Sequence, residues 1–123
     1  MCLILIGIKA HPEYKFIMLA NRDEFFNRNA TGAHFNSDSP TLLAGIDLEA
    51  GGMWNGITKT GLLAAVTNYR QFPLRTDKIS RGFLVKDFLT GKLTIDNAIQ
   101  VLDQSANQYN GYNLLYGTVD NVK

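Results

Sequence analysis

Residues 53–68, MWNGITKTGLLAAVTN, decide the fold class. MWNGIT and LLAAVTN are apolar runs of strand length, and Lys59-Thr60-Gly61 between them is turn chemistry, so the stretch predicts a β-hairpin. Toward the N-terminus, LILIGI (3–8) is a short run rich in β-branched residues and predicts a buried strand. Lys9-Ala10-His11-Pro12 breaks it, because a proline disfavours helix before it, and KFIMLAN (15–21) predicts a second strand. Residues 2–21 therefore read as another hairpin. Between the hairpins, Glu24 to Gly45 is rich in Asn, Ser, Asp, Gly and Thr with little periodicity and reads as a loop. Loops of that length inside a domain are more often functional than decorative.

Toward the C-terminus the period changes. Ser80 is placed to cap a helix with Phe83, Leu84, Phe88 and Leu89 on one face, ending at Gly91. Thr94 is placed to cap a second, with Ile95, Ala98, Ile99 and Leu102 on one side, and YNLLYGTV (112–119) returns to strand composition. The order strand, strand, loop, strand, strand, helix, helix, strand predicts one α+β domain over residues 1–123 with a largely antiparallel sheet. The last residues, Asn121-Val122-Lys123, follow a strand with no closing element, so the chain reads as cut short on its C-terminal side.

A chain of 123 residues, 46% hydrophobic and 19% charged, can bury a core and shows no compositional disorder. Its net charge of +1, with Lys and Arg scattered, gives no concentrated basic face for nucleic acid. A single cysteine forms no internal disulfide and no thiolate metal site, and the two histidines are isolated, so neither a metal nor a cofactor is expected. The apolar run at 3–8 is too short to span a bilayer and lacks the flanks of a signal peptide. A cytoplasmic protein without a transmembrane segment is expected.

That one cysteine is Cys2. It either packs as a small buried side chain or, once Met1 is clipped, presents an α-amine of pKa ~7.7–8.0 beside a thiol of pKa ~8.5, an internal base next to a nucleophile. Arg22 and Asp23 close the second predicted strand, where the hairpin returns them toward Cys2; the Asp can hold an α-ammonium and the Arg a thiolate or carboxylate. A turn with a surface ion pair is the plainer reading. Asn68 closes LLAAVTN, where its amide can donate to an oxyanion or simply enter a turn. Tyr69, Arg70, Arg75 and Arg81 either line an entrance for an acidic substrate or form a solvated basic face, and Trp54 is core or pocket wall. GGMWNG (51–56) lacks the Gly and Lys spacing of a phosphate loop.

The opening MC, HPEYKFIMLANRDEF (11–25), LLAGIDLEAGGMWNGITKTGLLAAVTNYR (42–70), SRGFLV (80–85) and YNGYNLL (109–115), taken in order, resemble the NRDE family, also called the Transport and Golgi organisation 2 family. Its members are typically longer, so the resemblance implies that only their N-terminal part is present. The family is similar to N-terminal-nucleophile hydrolases of the choloylglycine hydrolase and penicillin V acylase group, which implies an αββα sandwich. By that resemblance Cys2 is the nucleophile, Arg22 and Asp23 flank its amine and thiol, and Asn68 belongs to the oxyanion hole; Trp54, Tyr69 and Arg70 are the residues expected on the substrate side from their own chemistry and position. The implied activity is amidase-like hydrolysis of a linear, non-peptide C–N bond in a small molecule. The alternative is a non-catalytic carrier of haem or an acyl ligand. A half sandwich exposes sheet edges, so self-association is expected.

Overall fold

The computed structural model describes residues 2–69 and 72–122, the last of these by its backbone alone. Residues 53–68 do form the predicted hairpin. Strand β5 (Asn55–Thr58) pairs antiparallel with β6 (Leu62–Asn68), and the turn is closed by the Gly61 N–H donating to the Thr58 carbonyl at 2.9 Å. Gly61 takes the left-handed φ of +83° that this turn requires.

Two further strands lie where a loop was expected. β3 (His34–Asn36) and β4 (Ser39–Ala44) extend the sheet outward from β5, and β7 (Tyr112–Thr118) and β8 (Asn121–Val122) extend it from β6. The result is a six-stranded sheet, β3-β4-β5-β6-β7-β8, in which every neighbour is antiparallel. Short length and turn-forming residues hid β3, and Pro40 sits near the start of β4, a position a strand tolerates. The buried Leu42 and Ala44, either side of half-buried Leu43, were the readable part of β4.

Helices α1 (Gly82–Leu89) and α2 (Ala98–Ser105) lie in the connection from β6 to β7, and α1 packs on β5, β6 and β7. Val85, Phe88 and Leu89 of α1 join Leu42, Ala44, Ala64, Val66 and Tyr116 in one apolar core, and Leu84 is buried as well. Phe88 meets the Tyr116 ring edge-on at 5.1 Å. Ser80 does not cap α1: Arg81 holds the cap position without a side-chain bond, and Ser80 contributes only its carbonyl, to the Phe83 N–H. Leu84, Phe88 and Leu89 of the expected face are buried, with Val85 beside them, and Phe83 is half-buried. Thr94 does not cap α2 either: Asn97 holds the cap position without a side-chain bond, and Thr94 and Asn97 instead brace the turn before the helix, Thr94 Oγ1 accepting from the Asn97 N–H and Asn97 Oδ1 from the Thr94 N–H. Ile99, 70% exposed, leaves the expected apolar side, while Ile95, Ala98 and Leu102 keep to it.

β1 (Ile4–Ile8) and β2 (Phe16–Ala20) form the second predicted hairpin as a separate two-stranded sheet. It lies against the face of the large sheet opposite α1: Cys2, Ile4 and Ile6 border a cavity with Ala65, Thr67, Asn113 and Leu115. Lys15 at its turn pairs with Asp120 in the β7–β8 turn at 3.1 Å. The expectation of a buried first strand is overturned. Leu5 and Leu19, cross-strand neighbours, are 56% and 64% exposed, because among the described residues no layer covers the outer side of this two-stranded sheet. Among the described residues no helix is long and apolar enough to cross a membrane.

Candidate active site

The site is assembled where three separate chain segments end. The Leu3 N–H donates to Asn21 Oδ1 at 2.7 Å and the Asn21 N–H to the Leu3 carbonyl at 3.1 Å. These bonds hold the start of β1 beside the end of β2, so Cys2 and Arg22 arrive together. Asn68 comes from the end of β6, and the start of α1 closes a third side.

A cavity of about 630 Å³ opens there, lined by Cys2, Arg22, Trp54 and Asn68, together with Glu24, Arg28, Asp47, Lys78 and Arg81. Five of the residues named from sequence, Cys2, Arg22, Trp54, Asn68 and Arg81, thus share one space. Asp23 and Tyr69 are exposed and do not line it, and Arg70 and the Met1 whose removal matters lie outside the described residues. The Asn68 side-chain amide is uncommitted to any hydrogen bond among the described residues, as an oxyanion donor has to be before substrate arrives.

Arg22 is held from three directions. Its guanidinium lies 5.1 Å from the centre of the Trp54 ring, donates from Nη1 to the Arg28 carbonyl at 3.1 Å, and stands 4.0 Å from Asp47. Trp54 is itself fixed, because Gly45 packs against it so closely that an added Cβ would lie 2.8 Å from the indole.

Asp47 and Arg28 were not singled out by sequence. Asp47 is 7% exposed, the one buried charged side chain among the described residues, and it takes a 2.6 Å bond from Arg28 Nη2 and a 3.1 Å bond from Arg28 Nε. Burial pushes its carboxyl up, but the hydrogen bonds from Arg28 and the Glu49 N–H and the charges of Arg28 and Arg22 outweigh it, leaving the group below its ordinary value. The same hydrogen bond raises Arg28, against burial and with help from Asp47, Glu24 and Glu49. The available signal was an acid inside a turn, Asp47-x-Glu49 before Gly51-Gly52, in which Asp47 accepts from Glu49 and its own N–H donates to the Gly52 carbonyl.

A second cavity of about 410 Å³ touches the first at Cys2. It is mostly apolar, between the small hairpin and the large sheet, with Leu3, Ile4, Ile6, Leu114 and Leu115 on its walls. Cys2 therefore borders a charged space on one side and an oily one on the other.

The whole chain, residues 1–123, matches the model of the family described as Transport and Golgi organisation 2. The chain belongs to that family. Its similarity to the Transport and Golgi organization 2 homolog of Mus musculus is 35% identity over all of this chain and 47% of the relative. With the Transport and Golgi organization protein 2 homolog of Bos taurus it is 38% over 94% of this chain and 44% of that protein. With the Transport and Golgi organization protein 2 of Drosophila melanogaster it is 33% over 73% of this chain and 35% of that protein. The chain thus spans less than half the length of these relatives of the Transport and Golgi organisation 2 family.

Proposed function

We propose that this member of the Transport and Golgi organisation 2 family is an N-terminal cysteine hydrolase acting on a linear, non-peptide amide in a small molecule. The observation that carries the reading is that Cys2, Arg22 and Asn68, far apart in sequence, line one cavity with Trp54. A small hairpin layered on the face of the larger sheet away from its helices supports an N-terminal-nucleophile αββα sandwich.

In this reading Met1 is removed and the freed α-amine takes the Cys2 thiol proton. The thiolate attacks the amide carbonyl, forming a C–S bond as the carbonyl electron pair moves onto oxygen. Asn68 and a backbone N–H hold that oxyanion, and the α-ammonium returns the proton to the nitrogen as the C–N bond breaks. Water then adds to the thioester, releasing the acid and restoring the thiol. Asp23 steadies the α-ammonium, and Arg22 supplies positive charge beside the thiolate. Tyr69, next after Asn68 and exposed, is assigned to the substrate's entrance. The chemistry needs a free thiol, which suits a reducing compartment such as the cytoplasm.

The test is intact mass. Untagged protein expressed from its own start codon is expected to have lost Met1 and, on incubation with a panel of p-nitrophenyl esters and anilides, to gain an acyl group on Cys2. Retained Met1, or no adduct with any member of the panel, overturns the reading.

The apolar second cavity favours one alternative, a non-catalytic carrier holding an acyl chain or haem between the hairpin and the sheet. Cys2→Ser separates the two, since it abolishes hydrolysis and leaves apolar binding largely intact.

A further inference from the structure

Four cations and three carboxylates line the charged cavity, and they are not evenly matched. Arg28 is committed to Asp47 and, at 3.6 Å, to Glu24. Arg22 is committed to the Trp54 ring and the Arg28 carbonyl, within reach of Asp47. Arg81 differs from both. Its Nη1 donates to the Gly111 carbonyl at 3.0 Å, and among the described residues no carboxylate lies within 4.0 Å of its guanidinium. Lys78, lining the same cavity, likewise meets a carbonyl, that of Asn107.

We propose that Arg81 is the specificity-determining residue of this cavity, receiving a carboxylate carried by the substrate beside Cys2. The inference rests on the hydrolase reading above and deepens it by naming the substrate class, amides that bear a carboxylate. A guanidinium presents its donors as a planar fork that matches a carboxylate, and with one Nη1 bond spent on Gly111 the remaining edge is available. The rest of the environment agrees. Burial lowers the Arg81 pKa, with the Arg28 charge adding to it and Glu24 and Cys2 opposing, so the cation stands partly desolvated without a full counter-charge. An anionic ligand supplies that charge.

The experiment uses the fact that Cys2 is the chain's one thiol. Its alkylation by iodoacetate and by iodoacetamide displaces iodide in the same way, and the two reagents differ in carrying a carboxylate or a neutral amide. Arg81→Met is expected to lower the iodoacetate rate relative to the iodoacetamide rate by about threefold or more, the scale on which local charge concentrates an anion. Arg81→Lys should retain most of the preference, and Arg75→Met, which removes an exposed cation already paired with Asp77, should leave it unchanged. An unchanged ratio in Arg81→Met overturns the proposal. So does a parallel loss with both reagents, which would place Arg81 on the thiol rather than the ligand.

The single tryptophan, Trp54, lines the same cavity and gives a readout independent of Cys2. Its emission should respond saturably to phenylacetate and not to phenylacetamide, and the response should weaken at least threefold in Arg81→Met. If Cys2 proves unreactive while this binding holds, the hydrolase reading falls and the carboxylate site stands. Absence of Arg81-dependent phenylacetate binding sinks the site itself.

Discussion

Gly52 and Gly82 pack backbone against backbone. A Cβ on Gly52 would lie 2.7 Å from the Gly82 carbonyl carbon, and one on Gly82 would lie 2.9 Å from the Met53 nitrogen. The Met53 N–H donates to the Gly82 carbonyl at 3.0 Å, so the crossing is also hydrogen-bonded. This contact seats the start of α1 on the loop before β5 and fixes two walls of the charged cavity. Gly52→Ala or Gly82→Ala must push the two backbones apart and is expected to cost about 1–3 kcal/mol. Urea unfolding checks it, with Gly51→Ala as a contrast: Gly51 meets nothing within 4 Å and carries only the strain of its φ of +74°.

The Arg28–Asp47 pair makes stability depend on acid. Asp47 has a folded pKa below its unfolded value of ~3.9, so its contribution is fully present above that value and is lost as pH falls through the lower folded one. Asp47→Asn is therefore expected to flatten the acid limb of a stability–pH curve below about pH 4. Near neutrality it should cost about 2–4 kcal/mol, somewhat under a fully buried pair because Arg28 is partly solvated. Thermal melts from pH 2 to 7 test this, and parallel curves for the two proteins would refute it.

In the proposed hydrolase, Asn68 is expected to separate two kinds of attack by the Cys2 thiol. Acyl transfer develops an oxyanion and displacement of iodide does not. Asn68→Ala should slow acylation of Cys2 about 10²-fold while leaving iodoacetamide alkylation within about twofold. Equal rates of acylation in both proteins would remove Asn68 from the oxyanion hole.

The small hairpin carries the prediction for assembly. Leu5 and Leu19 form an exposed cross-strand pair, with Leu3 and Ile8 exposed on the same hairpin. A second copy of this chain is expected to cover them at high concentration, and Leu19→Lys to shift light scattering toward the monomer. A wild-type monomer throughout the concentration range contradicts it.

Much of the framework was legible because local chemistry dictated it. The turn Lys59-Thr60-Gly61 and the stop at Gly91 with its φ of +81° act within a few residues, and both appear where expected. β3 was illegible because three largely exposed residues in a turn-rich stretch become a strand only through pairing with β4. The α1 cap was misplaced by one position because Gly82 seats against Met53 and Arg81, not Ser80, precedes the helix, while Leu84, Phe88 and Leu89 are buried as expected.

By itself the sequence determined an α+β chain with antiparallel hairpins, and it marked Cys2, Arg22, Trp54 and Asn68 as residues with chemistry to offer. Tertiary structure decided that these four line one cavity and that Asp23 and Tyr69 do not. It also revealed the buried Asp47 with its Arg28, and an Arg81 lacking such a partner. The reason is physical: turns and caps are settled by neighbours in the chain, whereas burial, charge pairing and the walls of a cavity depend on segments that meet only after folding.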